Sequence, residues 1–190
     1  MKTVFFDVDT QIDFLYPSGA LYVPGAEEIV PTLGKLTRFA AERKIPIISD
    51  VDAHSENDAE FQVWKPHCVA GTFGQQKAAV TRVSNAAVLN SNVDIGAPQI
   101  VVEKQVLDAF SNPRLRPLLA KLAAERYLVY GVVTEICVRC AANGLLETGA
   151  RVEIVADAVK SFTRADAEAF LADFQSRGGK LISSAQVLSE

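Results

Sequence analysis

The sequence predicts an α/β protein: a three-layer α/β/α, Rossmann-like fold with a mainly parallel sheet of about six strands, in a single domain covering residues 1–190. Short β-rich runs alternate with amphipathic stretches along the chain. Several of the runs are near-continuously apolar, as strands are when helices cover both faces of a parallel sheet. Polar residues with chemical potential fall where those runs end, and ligands of open parallel sheets bind beyond the carboxyl ends of the strands.

The elements follow in order. VFFDVD (4–9) is the first strand, and EEIVPTLGKLTRFAAER carries Ile29, Leu33, Leu36 and Ala40 on one helical stripe. IPIISDVD (45–52) is the second strand. Residues 53–97 lack clear periodicity over most of their length, and a long irregular insert in a compact domain is more often a binding loop than filler. PQIVVEK (98–104), RYLVYGVV (126–133) and RVEIVAD (151–157) are further strands, with KLISS (180–184) a weaker sixth. NPRLRPLLAKLAAE, TEICVRCAANGLLETG and TRADAEAFLADFQSRGG are the remaining helical stretches; the last two stop near Gly149 and Gly178.

Composition narrows the function. With 49% hydrophobic and 22% charged residues the chain reads as globular, and its net charge of −4 argues against a nucleic-acid partner. No apolar run approaches the roughly 20 residues of a membrane span, and the acidic start after MKTVFF does not read as a signal peptide. Three cysteines, Cys68, Cys137 and Cys140, make no disulfide framework, so the expected setting is the reducing cytoplasm.

The strand ends carry the candidates. The first strand ends at Asp9, the second at Asp52 followed by His54, and the third at Lys104; the fourth runs into GVVTEIC, which starts a helix at Cys137. A helix N-terminus is expected to lower a thiol's pKa and favour the nucleophilic thiolate. The bland reading is a buried, inert cysteine, and the Cys137–Cys140 spacing also fits a redox pair, although nothing thioredoxin-like surrounds it. Cys140 is read as packing. The only two histidines, His54 and His67, lie close together in sequence, and with Asp52 they match an open transition-metal site; Glu60 between them is a further ligand or a holder of metal-bound water. With the histidines so used, the base falls to Asp9. Lys104, otherwise an ordinary solvated lysine, would stabilise a thiolate or an oxyanion.

DTQIDF (9–14), GALYVPGAEEIV (19–30), DAH (52–54), WKPHCVAGTFG (64–74), VVEKQVLDAF (101–110) and GVVTEICV (131–138) together resemble the isochorismatase-like cysteine hydrolases, most closely the metal-bearing nicotinamidases. The resemblance implies a triad of Asp9, Lys104 and Cys137, a cis peptide at Val132–Val133, and an oxyanion hole formed by the Val133 and Cys137 N–H groups. It implies metal ligation by Asp52, His54 and His67, with Glu60 as an additional ligand position. The ion would be divalent, Zn²⁺ first, with Mn²⁺ or Fe²⁺ as alternatives. Phe14 and Trp64 would flank a flat ring, with Gln11, in a supporting hydrogen-bond role near Asp9, and Phe110 as further substrate contacts. The substrate implied is a small amide, nicotinamide foremost, which would place the protein in NAD salvage, as a homo-oligomer. Two departures affect the substrate mouth: Asp108 stands where many relatives carry a small residue, and SDVDAH lacks a tryptophan common at the second strand's end.

Three rivals remain. Asp7 and Asp9 imitate the Asp-x-Asp opening of a haloacid-dehalogenase-type phosphatase, but that reading leaves Cys137, His54 and His67 without work, so Asp7 is read as structural. An isochorismate-type vinyl ether hydrolase would have no use for the metal residues. A catalytically silent ligand-binding relative would have no use for the triad.

Overall fold

The computed structural model describes residues 1–190. Its strands are β1 (Thr3–Val8), β2 (Ile47–Asp52), β3 (Ala87–Val88), β4 (Gln99–Lys104), β5 (Arg126–Val132), β6 (Arg151–Lys160) and β7 (Lys180–Ile182). They form one sheet in the order β3-β4-β2-β1-β5-β6-β7, with every neighbouring pair parallel. The strand absent from the sequence reading is β3, whose two residues are too few to show an alternation. β6 continues to Lys160 rather than stopping at Asp157.

Six helices complete the layers: α1 (Ile12–Leu15), α2 (Val30–Glu42), α3 (Leu115–Leu122), α4 (Arg139–Leu146), α5 (Arg164–Ser176) and α6 (Ser184–Leu188). Successive strand side chains point to opposite faces. Accordingly Val4, Phe6 and Val8 of β1 join one buried cluster and Phe5 joins the other. The first cluster takes Leu115, Leu118, Leu119 and Leu122 from α3, Ala141, Ala142 and Leu145 from α4, and Phe170 and Phe174 from α5. The second takes Leu33, Leu36, Phe39 and Ala40 from α2 and Val187 from α6. Helices therefore cover both faces, and the apolar runs follow from that.

The topology places the site. From β1 the chain moves to β2 and β4 on one flank, then returns to β5 on the other. The crevice at the carboxyl ends of β1 and β5 is the switch point where open sheets of this kind bind ligands. Register keeps the rim level: Asp52 pairs with Lys104, and Val8 pairs with Asp50 on one side and Gly131 on the other. Beneath the rim, Lys77 Nζ donates to Asp7 Oδ2 (2.7 Å) and Thr10 Oγ1 (2.7 Å), and Ser49 Oγ donates to Asp7 Oδ2 (3.1 Å). Asp7 is thus a buried anchor for the 53–97 segment, in keeping with its structural reading.

Gly131 closes this rim at φ +120°, and a Cβ built there would lie 2.0 Å from the Val8 carbonyl oxygen. Gly131→Ala is therefore expected to destabilise the fold by at least about 2 kcal/mol, combining left-handed strain with overpacking. A thermal melt beside the unmodified protein checks it, with a lower Tm expected.

Candidate active site

Four elements deliver side chains to one point. Asp9 follows β1 at φ +46°, its N–H directed at Asp50 through the carbonyl (3.2 Å) and Oδ1 (3.3 Å). Lys104 ends β4, and Asp52 ends β2. Cys137 sits in a single π-helical turn, Thr134–Val138, between β5 and α4; such turns often mark functional positions. Lys104 Nζ donates to Asp9 Oδ2 (2.9 Å) and to Asp52 Oδ1, and lies 3.9 Å from Cys137 Sγ. The predicted trio of Asp9, Lys104 and Cys137 is brought together, with every member almost fully buried. Val132–Val133 is cis, as the resemblance implied.

Burial governs the charges. It pushes Asp9 up to about 6, helped by Asp52 and opposed by Lys104. It pushes the Cys137 thiol well above its usual range, and the Lys104 ammonium only partly offsets this. This corrects the expectation of a thiol acidified by a helix N-terminus: Cys137 lies in a desolvated spot facing Asp9, Asp52 and Asp50, where an added negative charge is disfavoured. Burial also opposes the charge on Lys104, but Asp52 and Asp9 outweigh it and hold the ammonium charged. Asp52 shows the complement: burial disfavours its charge, yet Lys104 and the two imidazoles hold it well below the ordinary carboxylate range. At neutral pH the site holds a thiol, an ammonium and two carboxylates.

Asp52, His54 and His67 form the second half of the site, their ligating atoms all within 4.8 Å of one another. Of the two imidazoles, only His67 is held by a hydrogen bond through Nδ1. His67 Nδ1 donates to the Lys65 carbonyl (2.7 Å), and His54 Nδ1 lies 3.2 Å from Asp58 Oδ2. Their Nε2 atoms face Asp52 Oδ2, at 3.4 Å from His67 and 3.6 Å from His54. Both ring nitrogens of His54 are buried without a hydrogen bond. His67, anchored at one nitrogen and presented at the other, has the arrangement metal ligands adopt, and the unpartnered imidazole of His54 beside the same carboxylate oxygen suits a second ligand. Two imidazoles and one carboxylate suit Zn²⁺ or a similar divalent ion, so the residues fit the group. Glu60 Oε1 stands 4.0 Å from His54 Nε2 and lines the cavity, beside the trio rather than within it.

A small cavity opens onto both halves. Its apolar walls include Phe14, Leu21, Trp64, Leu107, Ile136 and Phe162. Phe14 and Trp64, expected to flank a substrate ring, are among its lining residues; Phe162, Ile136, Leu107 and Leu21 carried no signal in the sequence. Two predicted substrate contacts lie elsewhere. Gln11 is fully buried, and its amide donates to the Asp52 carbonyl (2.8 Å) and the Gln75 carbonyl (2.7 Å) while accepting from the Asp52 N–H (2.7 Å). It clamps a strand end and does not face the cavity. Phe110 packs on Gly144 of α4, where a Cβ would meet its ring at 2.2 Å, and Leu107 takes the place at the cavity. Asp108, suspected at the substrate mouth, caps the short turn after β4 by accepting the Phe110 N–H (2.9 Å).

A parallel α/β sheet whose switch point joins a buried cysteine, lysine and aspartate to a metal-ligand trio defines a hydrolase class with a cysteine-centred site. The chain belongs to the isochorismatase family: the Isochorismatase domain matches residues 3–186. It is 23% identical to a nicotinamidase of Saccharomyces cerevisiae, over 83% of this chain and 87% of that protein. It is also 23% identical to a maleamate amidohydrolase of Pseudomonas putida, over 100% of this chain and 86% of the other. Among solved structures, a pyrazinamidase of Pyrococcus horikoshii in complex with zinc superposes with a TM-score of 0.81 at 29% identity, covering 96% of this chain and 99% of that one.

Two outcomes are expected from this geometry. A base with a pKa near 6 works only when ionised, so kcat/KM should rise with pH through about 6 and fall below it as Asp9, facing Asp50, Asp52, Lys104 and Cys137, takes up a proton. A pH–rate profile checks this. Cys140 is half-buried and unpaired; Cys140→Ser should leave turnover within about twofold, as substitutions away from buried networks usually do, and steady-state kinetics decide it.

Proposed function

We propose that this protein is a metal-assisted cysteine amidohydrolase of small, uncharged aromatic carboxamides, converting nicotinamide to nicotinate and ammonia. The observation that carries the reading is the Lys104 ammonium shared by Asp9, Asp52 and Cys137 at the edge of an aromatic cavity. The cavity wall also favours a neutral substrate. Its acidic side chains are Asp52 and Glu60, and it has no arginine or lysine to receive a substrate carboxylate. Carboxylate-bearing substrates such as maleamate or isochorismate would find no arginine or lysine on that wall to pair with.

The chemistry is a proton relay with acyl transfer. The Cys137 thiol passes its proton to Asp9, and the sulfur attacks the carboxamide carbon. The N–H groups of Val133 and Cys137 receive the oxyanion, while Lys104 offsets the negative charge on Asp9 and sulfur. Asp9 returns the proton to the departing nitrogen, ammonia leaves, and a thioester remains on Cys137. Asp9 then takes a proton from water as it attacks the thioester, and the acid is released with the thiol restored. Phe14 and Trp64 flank the ring. A divalent ion held by Asp52, His54 and His67, zinc first, supplies a Lewis-acidic anchor that orients a ring nitrogen. The free cysteines fit a cytoplasmic setting.

Ammonia release from nicotinamide by the purified protein is the test. Release should vanish in Cys137→Ala, fall by about a hundredfold or more in Asp9→Asn with loss of the general base, and be lost on chelation and recovered with added Zn²⁺. Faster release from maleamate than from nicotinamide would overturn the neutral-substrate assignment. Retained activity in metal-free protein would overturn the metal's part.

A further inference from the structure

The turn that carries Cys137 also grips a distant segment that the reaction does not use. Thr134 Oγ1 donates to the Lys160 carbonyl (2.9 Å). Glu135 Oε1 accepts two N–H groups, from Phe162 (2.9 Å) and from Thr163 (2.8 Å), just ahead of α5. A carboxylate at that end of a helix is well placed electrostatically. Glu135 is only 7% exposed, and its second oxygen, Oε2, is buried without a partner.

The gripped segment bears Phe162, whose ring stacks on Trp64 with centroids 6.0 Å apart and planes inclined by 20°. Both rings line the inner cavity beside Cys137, and both also line a wider outer recess shared with Glu135 and Arg139. Leu21 and Ile136 line both as well, so the stacked pair stands with them where the two spaces meet. The inner cavity has a free volume of only about 20 Å³, room for roughly one water. A ring-sized substrate therefore needs side chains at this junction to move, and the stacked pair is its aromatic part.

We propose that Glu135 is a positioning residue that latches residues 160–163 onto the nucleophile's turn, setting Phe162 against Trp64 as an aromatic gate over the cavity. A carboxylate accepting two backbone N–H groups fixes the backbone of Phe162 and leaves its ring free to turn, so the gate opens by side-chain rotation while its frame stays in register with Cys137. The proposal rests on the amidase reading only in taking this cavity as the substrate site.

Trp64 is the only tryptophan in the chain, so its fluorescence reports the gate without substrate. Glu135→Ala should shift Trp64 emission to longer wavelength and increase its quenching by acrylamide. Glu135→Gln, which keeps an oxygen for the two N–H groups, should restore both signals towards those of the unmodified protein. Phe162→Leu should reproduce the Ala variant's shift. Where nicotinamide is turned over, Glu135→Ala should raise KM by about tenfold with kcat little changed, the pattern of lost uniform binding. Trp64 emission and quenching left unchanged by Glu135→Ala or by Phe162→Leu would overturn the gate, whatever happens to activity. Should Glu135→Ala fail to fold, Glu135→Asp, which draws the carboxylate back by one methylene, is held to the same outcomes. Absence of ammonia release would count against the amidase reading and leave the fluorescence result standing.

Discussion

One buried ammonium holds the site together. Removing a charge from water costs several kcal/mol unless partners compensate, and breaking such a pair leaves the survivor uncompensated. Lys104 Nζ is compensated by Asp9 after β1 and Asp52 at the end of β2, and it reaches towards Cys137 after β5. Each partner comes from a different strand end. The β2–β4 register that sets Asp52 opposite Lys104 is thus part of the site's electrostatics as well as of the sheet. The thiol half and the metal-ligand half share this single cation, so neither is independent of the other.

That sharing determines how the nucleophile is made. Burial keeps the thiol protonated, and Asp50, behind Asp9, is pushed well above the carboxylate range by burial and by Asp9 itself. Lys104 itself is in direct contact with the two carboxylates Asp9 and Asp52. The thiolate then forms by transfer to Asp9, a base raised to about 6, and not by prior ionisation. A base near the working pH accepts and returns the proton with little penalty in either direction, which an amide hydrolysis with two acyl steps requires.

The sequence made part of this legible, for physical reasons that can be named. Strand ends could be read because buried parallel strands are apolar runs, and the polar residue closing each run marks the rim; Asp9, Asp52, Lys104 and Cys137 were found that way. His54 and His67 could be read from residue type alone. Phe162 and Glu135 could not: their contact joins residues 27 apart through tertiary packing, and neither has a local pattern. Gln11 is implied by the resemblance to be a substrate contact with a supporting hydrogen bond near Asp9. It instead satisfies both the N–H and the C=O of Asp52, a use that only the paired strand ends reveal. Phe110 followed the commonest fate of an aromatic residue, packing in the gap left by a glycine. The thiol's pKa was misjudged because a helix N-terminus is visible in sequence and depth of burial is not.

The opening FFDVDTQIDF gains its meaning from the irregular segment it faces. Residues 53–97 carry His54, Glu60, Trp64 and His67 but have almost no strand ladder to hold them. Backbone without a ladder must be positioned by side chains that satisfy its polar groups. The four polar side chains at alternate positions in the opening stretch do this or reach the centre directly. Asp7 holds Lys77, Asp9 holds Lys104, Gln11 holds Asp52 and the Gln75 carbonyl, and Asp13 Oδ2 accepts the Cys68 N–H (2.7 Å) beside His67. All four are buried. So many buried polar groups in one short stretch would be a liability in a core. Here each replaces a missing backbone partner or a solvent shell, and the metal-ligand loop is fixed to the sheet at the same points that fix the base. A substitution among these residues would accordingly disturb ligand geometry and catalysis together, because the same strand end sets both.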